Sequence, residues 1–209
     1  GVLPLLIGRA TKTLDRLPVH DKSYTATLRF GATSDTLDVW GTVTETGVPA
    51  PTRAQIEAAL PGFRGDILQV PPMYSALKVN GQKLVDLARK NVTVEREARD
   101  ITVSRLDCER VSDTEYTLTV DCSKGTYIRT LCADIGAALG CGAAMSSLRR
   151  ERAGNYTIDG AHTLDELDEM EQSAREGLLI PVETLFEELE TVQLPQFYER
   201  LARNGAEIY

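Results

Sequence analysis

CSKGTYIRTLCADIGAALGCGAAMSSLRR, residues 122–150, decides how this chain folds. Immediately before it, Tyr116, Leu118, Val120 and Cys122 alternate with Thr117, Thr119 and Asp121, the period of two expected of a half-buried strand. Lys124 and Gly125 break that pattern. Ile128, Leu131, Cys132, Ile135 and Leu139 then recur at helical spacing until Gly140 supplies a left-handed stop. The segment therefore reads as strand, turn and helix, with Arg149 and Arg150 just beyond. A cation in such a turn, beside the free N–H groups of a helix start, suits an anionic ligand. By themselves these features favour a core helix with solvated charges at its ends.

Composition bounds the possibilities. With 209 residues and 42% hydrophobic content, the chain can bury roughly 70% of its unfolded surface and needs no disulfide or metal to hold a core. No apolar run approaches the ~20 residues of a membrane span, and GVLPLLIG at the start lacks a basic leader, so a cytoplasmic protein is expected. Cys108, Cys122, Cys132 and Cys141 are too irregularly spaced for a metal clamp and read as buried free thiols. His20 and His162 are the only histidines, which disfavours a zinc site or a Ser/His/Asp triad.

The net charge of −8 argues at first against a nucleic-acid partner. Its distribution weakens that objection. Eleven acidic residues lie between Asp159 and Glu190 against one basic residue, Arg175, which leaves 22 basic and 20 acidic residues, a net +2, for the rest. The acidic stretch reads as a solvated helix, opened by a Thr163/Glu166 capping box and carrying a narrow stripe of Leu164, Leu167 and Met170.

Along the chain, Ser23–Phe30 alternates as a strand, and Thr36–Thr46 reads as its antiparallel hairpin partner. Thr52 and Gln55 cap a helix that Pro61-Gly62 stops, Gln69–Pro72 is extended, and Gln82–Lys90 is a short helix. Ile101–Leu106 and Glu115–Cys122 are further strands. This order is α+β.

The opening segment resembles two consecutive motifs of the TruB-type pseudouridine synthases. The resemblance continues in the same order through GVLPLLIGRATK (1–12), DKSYTATLRFG (21–31) and FRGDILQVPPMYSALKVNGQKLVDLARK (63–90). MYSALKVNGQKL, Met73–Leu84, is closer to the bacterial branch than to the dyskerin-like, guide-dependent branch. What the resemblance implies is an α+β fold with a mixed, largely antiparallel sheet flanked by helices and loops. The implied activity is isomerisation of a T-loop uridine of tRNA to pseudouridine, with the T-arm as partner, no cofactor and no obligate protein partner. A non-catalytic tRNA-binding or RNA-folding module on the same fold is the alternative.

Family likeness also distributes roles. It assigns residues 1–190 to the catalytic domain and 191–209 to the start of an RNA-binding domain. The nucleophilic aspartate falls about five positions before the residue matching Gly1, outside these 209 residues. Both ends therefore read as cut, and the chain alone is expected to be inactive. An ionised aspartate in a closed pocket needs a charged, bidentate partner, and by resemblance that partner is Arg149. Tyr24 matches the family's active-site tyrosine, whose ring stacks on the flipped uracil and whose hydroxyl can move a proton. Its strand face would otherwise make it core. Tyr127 and Ile128 are expected to wall the pocket and Lys12, Lys78 and Lys124 to meet phosphate, while Arg150 is a weaker substrate-binding candidate and both it and Arg152 read more often as solvated or backbone contacts. Ser147 stands where some relatives carry a tyrosine that contacts the base. Asp35 and Asp38 are expected to be structural or solvated.

Overall fold

Along Lys22–Phe30 (β1), Ala26, Leu28 and Phe30 point to one side and are at most 1% exposed, while Thr25, Thr27 and Arg29 point to the other and stay half-buried. That division organises the structure. The computed structural model describes residues 1–16 and 20–208. Its contacts separate two units, Gly1–Leu5 with Val19–Thr163 and Leu6–Pro18 with Leu164–Tyr209.

In the first unit, β1 is followed by Ala32–Ser34 (β2) and Val43–Glu45 (β3), which pair with each other. Next come the helix Arg53–Ala59 (α1), Gly65–Gln69 (β4), the small hairpin of Lys78–Val79 (β5) and Gln82–Lys83 (β6), and Leu84–Ala88 (α2). The long strands Arg99–Arg110 (β7) and Glu115–Cys122 (β8) lead into the helix Ile128–Ala138 (α3), then Ala143–Ala153 (β9) and Tyr156–Thr157 (β10). Six strands form one sheet in the order β10-β9-β1-β8-β7-β4, every ladder antiparallel.

On the buried face, the apolar residues of β1, β8 and β7 meet Ile128, Leu131, Cys132 and Ile135 of α3. Each fully buried side chain of this kind contributes roughly 1.5–3 kcal/mol. Phe30 and Tyr116 add an edge-to-face contact at 5.4 Å. Gly140 ends α3 with φ +70, and Gly136 lets the helix approach the start of β9 so closely that a Cβ there would overlap the backbone nitrogen of Ala143. The Thr52/Gln55 capping box is formed at the start of α1. None of the cysteines is paired, three being buried and Cys108 half-buried.

Two expectations are corrected. Thr36–Thr46 is not the partner of β1, because β8 and β9 occupy both of its edges over almost its full length, and the local chain closes only a short ladder between β2 and β3. Residues 143–153, expected only as charges after the helix, form an edge-adjacent strand. Its alternation is hidden in the sequence by two bulges: Ser146 and Glu151 are extra residues between consecutive pairs with β1. A smaller revision concerns Gln82–Lys90, where the helix proper is confined to α2.

The second unit contains a 3-10 helix, Gly8–Arg16, and the helices Leu164–Glu169 (α4), Gln172–Gly177 (α5) and Gln196–Arg203 (α6). The expected division at 190–191 falls inside this unit. Leu164 of the acidic helix is 79% exposed, so its apolar stripe is not buried as a whole. Residues 204–208 form a turn and irregular chain, and Tyr209, the last residue of the expected terminal strand, lies outside the described residues. No helix among the described residues is long and apolar enough to cross a membrane.

Replacing Gly136 by Ala is expected to lower the stability of the chain by about 2–3 kcal/mol through overpacking against a backbone that cannot withdraw. Gly177→Ala, where nothing lies within 4 Å of the added Cβ, is expected to be neutral or stabilising by roughly 0.5 kcal/mol. Urea unfolding of the two variants checks this; equal midpoints would refute the close approach.

Candidate functional site

The buried face of the sheet continues beyond its cover. Across the β1–β9 ladder, Leu148 stands opposite Ala26 and Arg150 opposite Tyr24, all on the side that α3 packs against. Yet Leu148 is 42% exposed while Ala26 is 0% exposed, so the layer over Ala26 does not extend to Leu148. Tyr24, half-buried against the edge of the core, Leu148 and Arg150 thereby share the uncovered end of this face, an aromatic and an apolar surface beside a cation. Behind it, Val2 N–H donates to the Arg150 carbonyl at 2.8 Å, and Arg150 Nε donates to the Val2 carbonyl at 2.6 Å. A Cβ on Gly1 would come within 2.6 Å of the Arg150 backbone nitrogen.

Burial raises the Tyr24 phenol above its ordinary range, opposed by the neighbouring Arg150 guanidinium. At neutral pH Tyr24 is therefore a protonated hydroxyl, fit to donate a hydrogen bond. Lys22, two residues away on the same face, has its ammonium pKa lowered by burial first, then by the charge of Arg150 and, more weakly, of Lys124; Cys122 and Asp21 act in the opposite sense. Lys22 thus lies within electrostatic reach of both Arg150 and Lys124. The three make a positive rim.

The N-terminal turn of α3 is tied on two sides. Gln69, the last residue of β4 and only 3% exposed, accepts from the Tyr127 N–H at 2.8 Å and donates to the Tyr127 carbonyl at 3.1 Å. Arg129 reaches from the first turn to Asp38, with Nη1 at 3.0 Å from Oδ2. Asp38 is 6% exposed, and its Oδ1 accepts from Thr36 Oγ1 at 2.7 Å and from the Trp40 N–H at 3.2 Å. A buried carboxylate thus holds an arginine side chain that is 30% exposed.

The expected residues fall in several places. Tyr24 and Arg150 are brought together as described, and Lys124 lies within electrostatic reach of Lys22. Arg149 does not join them: it pairs with Thr25 on the opposite sheet face, is 63% exposed, and its Nε bonds Glu151 at 2.7 Å. Ser147 lies on that same far face, donating to Thr27 Oγ1 at 2.7 Å, and Arg152 joins Ser23 and Asp121 there. Ile128, expected as pocket wall, is 4% exposed and packed in the core, whereas Tyr127 at the helix cap is half-buried. Lys78 lines a separate open depression of about 420 Å³ with Lys83, Asp86 and Lys90, and Lys12 is an exposed residue of the second unit. Asp38 is buried and ion-paired, not solvated; Asp35 is exposed and accepts from the Thr42 N–H at 2.8 Å.

Sequence reasoning missed Arg129, Asp38, Gln69 and Leu148. One signal for Arg129 was present: a cation in the first turn of an apolar helix opposes the helix dipole and calls for a nearby anion. Leu148 and the facing of the arginines had no such signal, because the bulges conceal which residues of β9 share a face.

Comparison with known proteins adds independent information. Residues 1–128 match the family described as TruB family pseudouridylate synthase (N terminal domain), and residues 129–187 match the tRNA pseudouridylate synthase B C-terminal domain. The chain is 46% identical over 192 residues to tRNA pseudouridine synthase B of Dechloromonas aromatica, covering 92% of this chain and 64% of that protein. It is 46% identical to the protein of the same name from Chromohalobacter salexigens, covering 98% of this chain and 67% of the relative. It thus spans about two thirds of the length of these relatives. Among solved structures, a Cbf5-Nop10-Gar1 complex matches with TM-score 0.62 and 26% identity over 88% of this chain and 48% of the matched chain. An H/ACA RNP bound to a substrate RNA containing 2'-deoxyuridine matches in fold, with TM-score 0.58 at 23% identity, covering 88% of this chain and 47% of the matched one.

Removing Asp38 strands a guanidinium whose side chain is about two-thirds buried. Asp38→Ala is expected to cost about 2–3 kcal/mol, below the range for fully buried pairs because Arg129 keeps some solvent. In a double-mutant cycle with Arg129→Met the coupling should be roughly 1–3 kcal/mol. Additive losses in urea unfolding would show that the two side chains do not depend on each other.

Proposed function

The chain belongs to the TruB pseudouridylate synthase family, and from that membership we propose that it forms the catalytic core that isomerises a T-loop uridine of tRNA to pseudouridine in the cytoplasm. The observation that carries this reading is the uncovered end of the sheet, where Tyr24 and Leu148 offer an aromatic and an aliphatic surface inside a rim of Lys22, Lys124 and Arg150.

Breaking and remaking the glycosidic linkage requires the uracil to leave the RNA stack. The Tyr24 ring gives the extruded base a stacking partner and Leu148 closes the other side with an apolar contact. Because the phenol is held protonated, its role toward the detached base is that of a donor. The rim supports the reading through charge: phosphate contacts position an RNA without specifying its sequence.

The carboxylate partner role passes from Arg149 to Arg129. Asp38 engages only Nη1 of Arg129 among the described residues, so Nε and Nη2 remain for a second carboxylate. An arginine stays charged in a confined site and presents a fork that matches a carboxylate. The nucleophilic aspartate that the family resemblance places before Gly1 would be that second acceptor. Asp38 serves to hold the arginine and offset its charge before the nucleophile arrives.

Three outcomes test the proposal. Supplied alone, the 209 residues should bind tRNA without isomerising it, and joined to the segment that precedes Gly1 in the relatives they should form pseudouridine; product from the 209 residues alone, or none from the joined protein, contradicts it. In the joined protein, Tyr24→Phe should lower the single-turnover rate with tRNA affinity nearly unchanged, and Tyr24→Leu should cost a further ~1–3 kcal/mol of stacking. Full turnover in the folded Leu variant would return Tyr24 to the core. Finally, Lys22→Gln in the 209-residue chain should weaken tRNA binding and reduce the salt-dependence slope by about 1. An unchanged slope would remove the rim from the RNA interface.

A further inference from the structure

Gln69 is a buried amide with no part in the sheet's apolar packing, and both of its polar atoms go to one residue. Its Oε1 accepts from the Tyr127 N–H and its Nε2 donates to the Tyr127 carbonyl, at 2.8 and 3.1 Å. Because an amide must accept from an N–H and donate to a carbonyl, this pairing also settles which side-chain atom is oxygen. Tyr127 is the N-cap residue of α3 and makes no side-chain cap of its own. Its carbonyl also accepts the first intrahelical bond, from the Leu131 N–H at 3.0 Å. The glutamine therefore takes, from another strand, the N-cap N–H that the N3 Glu or Gln of a capping box takes locally, and it also donates to the cap carbonyl.

We propose that Gln69 is a positioning residue for the uridine-isomerising site: it caps α3 from the end of β4 and so sets the direction from which Arg129 and Tyr127 face the substrate. This rests on the functional reading above. The geometry explains the placement. Arg129 lies two residues past the cap, within the same turn, and its Asp38 partner is anchored in the loop between β2 and β3, which is independent of β4. One end of the arginine's span is fixed by Asp38. The other is fixed by Gln69. Val70, Pro71 and Pro72 follow directly, and the prolines restrict the chain leaving β4, so the glutamine is presented from a stiff support.

Two substitutions separate this role from general stability. Gln69→Leu keeps the approximate size and makes neither bond. Gln69→Glu keeps the acceptor for the Tyr127 N–H, but its ionised second oxygen faces the Tyr127 carbonyl; only the protonated acid can donate there and restore both bonds. An ordinary glutamate protonates near pH ~4.3, and burial moves that upward.

In the joined protein at pH 8, both variants should lose roughly 10- to 100-fold in single-turnover rate, the scale of a small misplacement of catalytic groups, with tRNA affinity within about twofold of wild type. Between pH 8 and pH 5.5 the Glu variant's rate relative to wild type should recover about tenfold or more, while the Leu variant's ratio stays flat. Hydrogen exchange on the 209-residue chain provides an arm that needs no activity: the Tyr127 amide should lose protection in the Leu variant while the amides of residues 131–135 keep theirs. A folded Leu variant with wild-type turnover, a Glu variant with no recovery at low pH, or an unchanged Tyr127 amide would each overturn the proposal. Absence of product from the wild-type joined protein would count against the functional reading and leave the exchange result to decide the capping role.

Discussion

A guanidinium in the first turn of a helix sits at the wrong end of the helix dipole, and here Asp38 compensates it. That single pairing explains several otherwise unrelated features. Asp38 must be buried to reach Arg129, and a buried carboxylate must be fully engaged, so Thr36 and the Trp40 backbone bond its other oxygen. The turn around it must be tight, and a Cβ on Gly41 would overlap the side-chain oxygens of Asp35 and Thr36. The loop is also stitched to the sheet by a parallel bridge between Asp38 and Met145, with Val39 N–H donating to the Met145 carbonyl at 3.0 Å. The arginine is thus held by the sheet itself through a chain of short connections.

The second constraint is the pair of bulges in β9. Each inserts one residue opposite β1 and changes which side chains of β9 share a face. From Ala143 and Met145, which pack in the core, the strand crosses Ser146 and then presents Leu148 and Arg150 on the same side, beyond the cover of α3. Core and site are therefore consecutive stretches of one sheet face. The opposite face carries a polar set, Ser147 with Thr27 and Arg152 with Ser23 and Asp121. Arg149 belongs to that set, and its pairing with Glu151 is an exposed one of little energetic weight.

Periodicity made the central part of the fold legible. Tyr116–Cys122 and the apolar positions of α3 repeat cleanly, and β8 and α3 appear where that pattern puts them. The same rule failed at β9 because a bulged strand has no steady period, and it failed for Thr36–Thr46 because pairing between distant strands outweighed a local hairpin. At the proposed site, the motif named Tyr24 but not the side chains that share its sheet face. The choice proposed among Arg129, Arg149 and Arg150 could not be made from sequence, since it requires knowing which way each side chain leaves its element. Gln69 was beyond reach for a different reason: its importance lies in a contact 58 residues away in sequence.

The central claim is that Arg129, and not Arg149, supports the catalytic carboxylate. Single-turnover pseudouridine formation by Arg129→Ala and Arg149→Ala variants of the joined protein tests it most directly, with tRNA binding measured alongside. If the claim holds, the Arg129 variant loses at least about 100-fold in rate, the scale on which removing a preorganised electrostatic group acts, while the Arg149 variant stays within a few-fold of wild type. A large loss at Arg149 with turnover preserved at Arg129 would contradict it.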